Sequence, residues 1–195
     1  MSNKTIRNAG VVIAATAALA LAGCGRTGPS GSGMMGNAGG YNYSRLTCAP
    51  PANLHGQVVT VTLADMNMQR MMGGTAPLGA RMMLRAAPVT IQSGQVSFGA
   101  ENFGWRTHEL VILPLGPDAE SGQRTPGADG KVDETGSLGE ASAKCAAGSG
   151  EGIPSGAVGW VTVTLPPGTY ELVCNLANHY ADGMYQRVTV VGSGR

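Results

Sequence analysis

The chain has 195 residues, 31 of them glycine, and only 5% are aromatic. Thirteen basic residues face twelve acidic ones, for a formal net charge of +1, so there is no basic stripe of the kind that nucleic acid requires. The length suits one domain with appendages, and the glycine-rich, aromatic-poor composition favours turns and short strands over long helices.

The first residues are not part of a fold. Lys4 and Arg7 lead into an apolar run, Ala9 to Gly23, too short to span a bilayer. The run ends in Leu21-Ala22-Gly23-Cys24, which resembles the bacterial lipobox. That resemblance implies cleavage before Cys24 and lipidation of its thiol. The mature protein would then be anchored outside the cytoplasm, on the periplasmic side or at the cell surface. An ordinary signal peptide with an incidental cysteine is the plainer alternative. Loss of residues 1–23 removes Lys4 and Arg7 and no acid, leaving eleven bases against twelve acids. Residues 24–47 are rich in Gly and Ser and nearly uncharged, a flexible tether whose twenty or so residues reach roughly 25 Å.

A folded domain is expected over residues 48–192. Val58 to Leu63 alternates, with Val59, Val61 and Leu63 directed inward. A methionine-rich segment follows, containing Met66, Met68, Met71, Met72, Met82 and Met83. Methionine fills irregular gaps in cores, so packing is the plain reading. The sharper one is an auxiliary Cu(I) contact at Met66, Met68, Met71 and Met72, since thioethers select that ion. Val89 to Ile91 and Val96 to Ala100 are short strands around Ser93-Gly94, with Val96, Phe98 and Ala100 inward. Asn102 and Gly104 turn the chain into a strand whose His108, Leu110 and Ile112 share one face. Trp105 borders that histidine. Residues 116–156 are polar, glycine-rich and without pattern, a long loop of the kind usually functional or mobile. Val161 to Leu165 alternates again, and Pro166-Pro167-Gly168 turns the chain once more.

The stretch that organises the rest runs from Gly168 to Met184. Tyr170, Leu172 and Cys174 share one strand face, then the alternation stops and a loop carries His179 and Met184. Thiolate, imidazole and thioether at C-x4-H-x4-M lack one histidine of a trigonal His2Cys copper site with a weak axial Met. His108 is the candidate for it. Structural zinc sites prefer several Cys or His and have little use for Met. Gln186 to Val191 completes the sheet. The other histidine, His55, is expected at the surface.

Two patterns, N-x-G-x3-H-E-L-V around His108 and P-G-x-Y-x-L-x-C-N-x3-H-Y-x2-G-M around Cys174, resemble the cupredoxins, or blue copper proteins. The loop spacing is most similar to the rusticyanin and sulfocyanin branch. The resemblance implies an all-β Greek-key antiparallel sandwich and one type 1 copper ion held by His108, Cys174, His179 and Met184. It also implies a one-electron carrier rather than an enzyme, a monomer that docks with protein redox partners such as a cytochrome or a terminal oxidase or reductase. The ring edge of His179 would face those partners, with Leu176, Ala177 and Tyr180 around it. Many relatives have Pro-Gly before the loop histidine; here Ala177-Asn178 stands there, and Asn tolerates the left-handed turn. The N–H regained at Ala177 is then a candidate donor to the Cys174 sulfur. With Cys24 reserved for lipid and Cys174 for metal, Cys48 and Cys145 could pair in an oxidising compartment or remain two thiols. A copper chaperone or copper-resistance lipoprotein using the methionine-rich segment is the alternative function.

Overall fold

A computed structural model of the chain describes residues 44–65 and 78–192. Its strands are β1 (Gln57–Asp65), β2 (Met82–Ala87), β3 (Thr90–Gln92), β4 (Gly94–Asn102), β5 (Leu110–Leu115), β6 (Gly139–Ala141), β7 (Val158–Leu165), β8 (Gly168–Val173) and β9 (Tyr185–Val191). One sheet has the order β2-β1-β4-β7 and the other β3-β9-β8-β5-β6. Among the described residues, no helix is long and apolar enough to cross a membrane. The fold is the expected all-β sandwich of two sheets. Its sheets are mixed, however, because β1 pairs with β4 and β3 with β9 in parallel.

The parallel β1–β4 pair follows from how the chain enters the domain. Ser44 donates its N–H to the Phe103 carbonyl just past the end of β4, at 2.7 Å. The chain then descends along β4 until the His55 carbonyl accepts the Ser97 hydroxyl at 2.6 Å. From there β1 must rise in the same sense as β4, placing Gln57 opposite Val96 and Leu63 opposite Asn102. Residues 44–47, assigned to the tether from sequence, are already hydrogen-bonded to the domain, with Thr47 bound to Gly156.

Between the sheets lie the side chains that the alternation placed there. Val59, Val61 and Leu63 meet Val96, Phe98 and Ala100 from one sheet, and Leu110, Ile112, Tyr170, Leu172 and Cys174 from the other. The outer face of β5 and β8 is buried too. Val111, Leu113 and Val173 pack with Val132 and Tyr180 in a second cluster. The stretch 116–156 is therefore neither patternless nor loose: it contributes β6 to the sheet and covers that outer face. Fully burying an aliphatic side chain of this size contributes about 1.5–3 kcal/mol, reason enough for the stretch to settle there.

Two further ties fix it. Glu171 on β8 is fully buried, and the Arg124 guanidinium donates to its Oε2 at 2.6 Å. Its Oε1 accepts from the Ser121 hydroxyl, the Gly122 N–H and the Tyr180 hydroxyl. A buried carboxylate so fully bonded bears its desolvation cost. Cys48 and Cys145, left open above, form a disulfide with Cα atoms 5.9 Å apart across 97 residues. Closing so long a loop contributes about 4–5 kcal/mol in the chain-entropy account. Cys24 and Met66, Met68, Met71 and Met72 lie outside the described residues. Met82 packs in the core and Met83 is half-buried.

Candidate metal centre

His108 sits just ahead of β5 in an isolated bridge with Ile153, each donating its N–H to the other's carbonyl at 3.0 and 2.7 Å. The turn before it is built around Asn102, which is fully buried. Its Oδ1 accepts the Gly104 N–H at 2.8 Å, and its Nδ2 donates to the carbonyls of Arg106 and Ile153, both at 2.7 Å. Cys174 follows the last residue of β8. The loop beyond it folds back on itself, with the Cys174 N–H bound to the Met184 carbonyl and the Met184 N–H to the His179 carbonyl. Asn178 takes the left-handed turn at φ +70° that its amide side chain permits, as the sequence suggested.

These two segments bring three donor atoms together. The Nδ1 atoms of His108 and His179 are 3.2 Å apart. The Cys174 sulfur stands 3.3 Å from Nδ1 of His179 and 3.9 Å from Nδ1 of His108. A point equidistant from all three is about 2.0 Å from each, the length of a metal–imidazole bond and a few tenths short of a metal–thiolate bond. The residues fit a metal ion. Cys174, His108, His179 and Met184 are each fully buried, and together they form a type 1 copper-like site. Two imidazoles, a thiolate and a thioether select copper over hard cations.

Protonation states favour the same outcome. Burial pushes the His108 imidazolium down, so the ring is neutral. Its Nε2 lies 3.1 Å from Oδ2 of Asp65. Burial pushes the Asp65 carboxyl up, but hydrogen bonds from His108, Arg106 and Trp105 outweigh it and hold the group below its ordinary range. An ionised carboxylate can only accept, so Nε2 carries the proton and Nδ1 turns a lone pair to the site. Burial, reinforced by the charge of Glu109, pushes the Cys174 thiol far up. The metal-free protein thus keeps a thiol there, and ligation releases its proton.

The sulfur also accepts two backbone donors, the Glu109 N–H at 3.3 Å and the Leu176 N–H. The second donor is the Leu176 N–H, one residue ahead of the amide expected from the sequence. Outside the loop, Asn175 bonds Val132, and the Asn178 N–H donates to the Gly130 carbonyl at 2.9 Å. Sequence reasoning missed this brace, since polar residues far apart in a long loop carry no spacing signal. It missed Asp65 as well. A signal existed there: Asp65 continues the inward alternation of Val59, Val61 and Leu63, and an acid on a core face needs a partner.

One expectation changes. His179 has no exposed surface, so its ring edge does not itself face solvent. Leu176, Ala177 and Asn178, just ahead of it in the loop, are half-buried. Tyr180, expected at the rim, is buried against the outer face of the sheet, because its hydroxyl bonds Glu171. His55 is exposed, as expected, and far from the site along β4.

No family model and no curated protein matches the chain. Among solved structures, the chain is similar to dithionite-reduced auracyanin from the photosynthetic bacterium Roseiflexus castenholzii, with 18% identity and a TM-score of 0.40 over 71% of this chain and 98% of that one. It is similar to reduced rusticyanin at 19% identity and a TM-score of 0.40, over 70% of this chain and 81% of that one. Rusticyanin from Thiobacillus ferrooxidans gives 19% identity and a TM-score of 0.38, over 70% and 79%.

Proposed function

We propose that this chain, a cupredoxin by its β-sandwich and its His-Cys-His-Met site, is a lipid-anchored extracytoplasmic carrier of single electrons. The observation that carries the reading is the buried triangle of two Nδ1 atoms and one sulfur, closed by segments 66 residues apart in sequence. When bound, copper supplies a one-electron couple, Cu(II)/Cu(I). The chain's part is to hold the donors still. His108 is fixed by its bridge to Ile153, Cys174 by its N–H to Met184, and His179 by the turn from Leu176. A donor set that moves little between oxidation states keeps the rearrangement on transfer small. Met184 would add a weak thioether donor, and the two N–H donors at the sulfur would temper its charge.

Burial of His179 leaves Leu176, Ala177 and Asn178 as the contact layer for a partner. Leu78, which is 71% exposed, precedes Gly79, whose N–H donates to Asp182 of the ligand loop at 2.6 Å. An apolar rim of this kind suits docking with a cytochrome or a terminal oxidase or reductase. The chain enters the domain at this same end, where Ser44 meets Phe103. A lipidated Cys24 would keep the domain within the tether's reach of the membrane and of partners held there. The domain would work as a monomer.

A second reading, copper delivery, draws on the flanks of residues 66–77. Asp65 and Met82 pair with each other, and Asp65 touches His108. Copper transfer to a metal-free partner, lost with the methionines of that segment, would favour it.

The test is to add Cu(II) to the purified protein and record visible and EPR spectra. An intense thiolate-to-copper band, absent in Cys174→Ser, is expected. Faint absorption indifferent to that substitution would sink the copper site.

A further inference from the structure

We propose that Asp65 is the positioning residue for His108 and sets the reduction potential of the site, its carboxylate holding the ligand ring from behind and biasing the bound ion toward Cu(II). This rests on the copper reading above and deepens it.

Three N–H groups converge on one oxygen. Oδ2 of Asp65 accepts from Nε2 of His108 at 3.1 Å, from the Trp105 N–H at 2.8 Å and from the Arg106 N–H at 3.0 Å. Asp65 is 2% exposed and His108 wholly buried, so solvent screens the contact little. The carboxylate ties the end of β1 to the turn that delivers the ligand. It fixes the tautomer, fixes the ring plane and makes the imidazole a stronger donor, as outer partners of metal-bound histidines do. A net negative charge one ring away from the ion also favours the more highly charged oxidation state. Both effects lower the potential.

The fold makes specific room for this contact. A Cβ added to Gly104 would lie 2.1 Å from Oδ2 of Asp65 and 3.0 Å from Nε2 of His108. Only glycine at that position lets carboxylate and imidazole meet. Among the described residues no other carboxylate is paired with His108: Glu109, next in sequence to the ligand, accepts the Asn175 N–H instead.

The experiment compares reduction potentials of copper-loaded wild type, Asp65→Asn and Gly104→Ala by protein voltammetry, with spectra of each. Asparagine keeps the shape and an accepting oxygen while removing the charge. Gly104→Ala keeps every charge and ligand but separates the pair. Both variants should remain blue, with the Cu(II)-to-Cu(I) affinity ratio falling about tenfold or more, a rise of about 59 mV for one electron. In the Cu(I) protein, the ring N–H resonance of His108 should move upfield in both. Should Asp65→Asn fail to fold, Gly104→Ala decides by the same two readouts. Variants that lose stability but keep the wild-type potential and ring N–H signal would show a merely structural Asp65 and overturn the proposal. A wild type that takes up no copper, or none with an intense band, overturns the copper reading and this one with it.

Discussion

Asn175 holds Val132 by both ends of its amide. The Val132 N–H donates to Oδ1 at 2.7 Å, and Nδ2 donates to the Val132 carbonyl at 2.9 Å. Asn175 is the residue after Cys174, so the long 116–156 stretch grips the ligand loop directly beside the sulfur. Both residues are buried, and their polar groups have no water to fall back on.

Asn175→Ala should therefore destabilise the protein by about 2–6 kcal/mol, since two buried backbone groups lose partners that cost about 1–3 kcal/mol each to leave unpaired. Chemical denaturation measures this. The copper-loaded variant should also give broadened EPR lines, because the loop loses its brace. A variant as stable as wild type, with unchanged lines, would mean that Val132 pairs elsewhere.

Met184 is the expected axial ligand. Met184→Leu removes a weak donor that slightly favours Cu(II), so the potential should rise; Met184→Gln supplies a stronger oxygen donor, so it should fall. A shift of about 59 mV corresponds to a tenfold change in relative affinity. Copper and colour should persist in both, because His108, Cys174 and His179 carry most of the bonding. Met66→Leu with Met68→Leu should hardly move the potential. Equal potentials across the Met184 series exclude that ligand, and a large shift from the upstream pair points there instead.

Glu109 gives the copper-free protein a pH dependence. Burial, with repulsion from Glu140, pushes its carboxyl up to about 7 from the ordinary 4.5. Between those values the folded state binds the proton that the unfolded state has released, so stability falls as pH rises through that window and levels off above it. The loss amounts to roughly 3 kcal/mol. Denaturation of the copper-free protein from pH 4 to 8 should show this slope, and Glu109→Gln should flatten it. A slope that survives the substitution belongs to another group.

Cys24→Ala should release the protein from membranes or block its maturation, while copper binding stays intact. Several acyl chains on one residue hold firmly, at about 0.8 kcal/mol per buried CH2. Fractionation of cells carrying the variant reads this directly. A correctly processed Cys24→Ala protein that still sediments with membranes excludes a simple lipid anchor.

Sequence alone determined which faces of the strands turn inward and which donors share a loop. Val59, Val61 and Leu63, or Tyr170, Leu172 and Cys174, are legible because side chains alternate with a period of two whatever the strand's partner. Cys174, His179 and Met184 are legible because one short loop brings them together, and His108 because an imidazole on an apolar face calls for a role. Only the tertiary structure decided which strands pair, since alternation gives a face but no neighbour. The parallel β1–β4 pair depends on residues 44–56 lying down along β4. Only it decided, too, where buried polar groups find partners: Asp65 on His108, Asn175 on Val132, Arg124 on Glu171. Each joins residues more than 40 positions apart, and what selects each is the cost of leaving a polar atom dry, a cost that exists only once the core has closed around it.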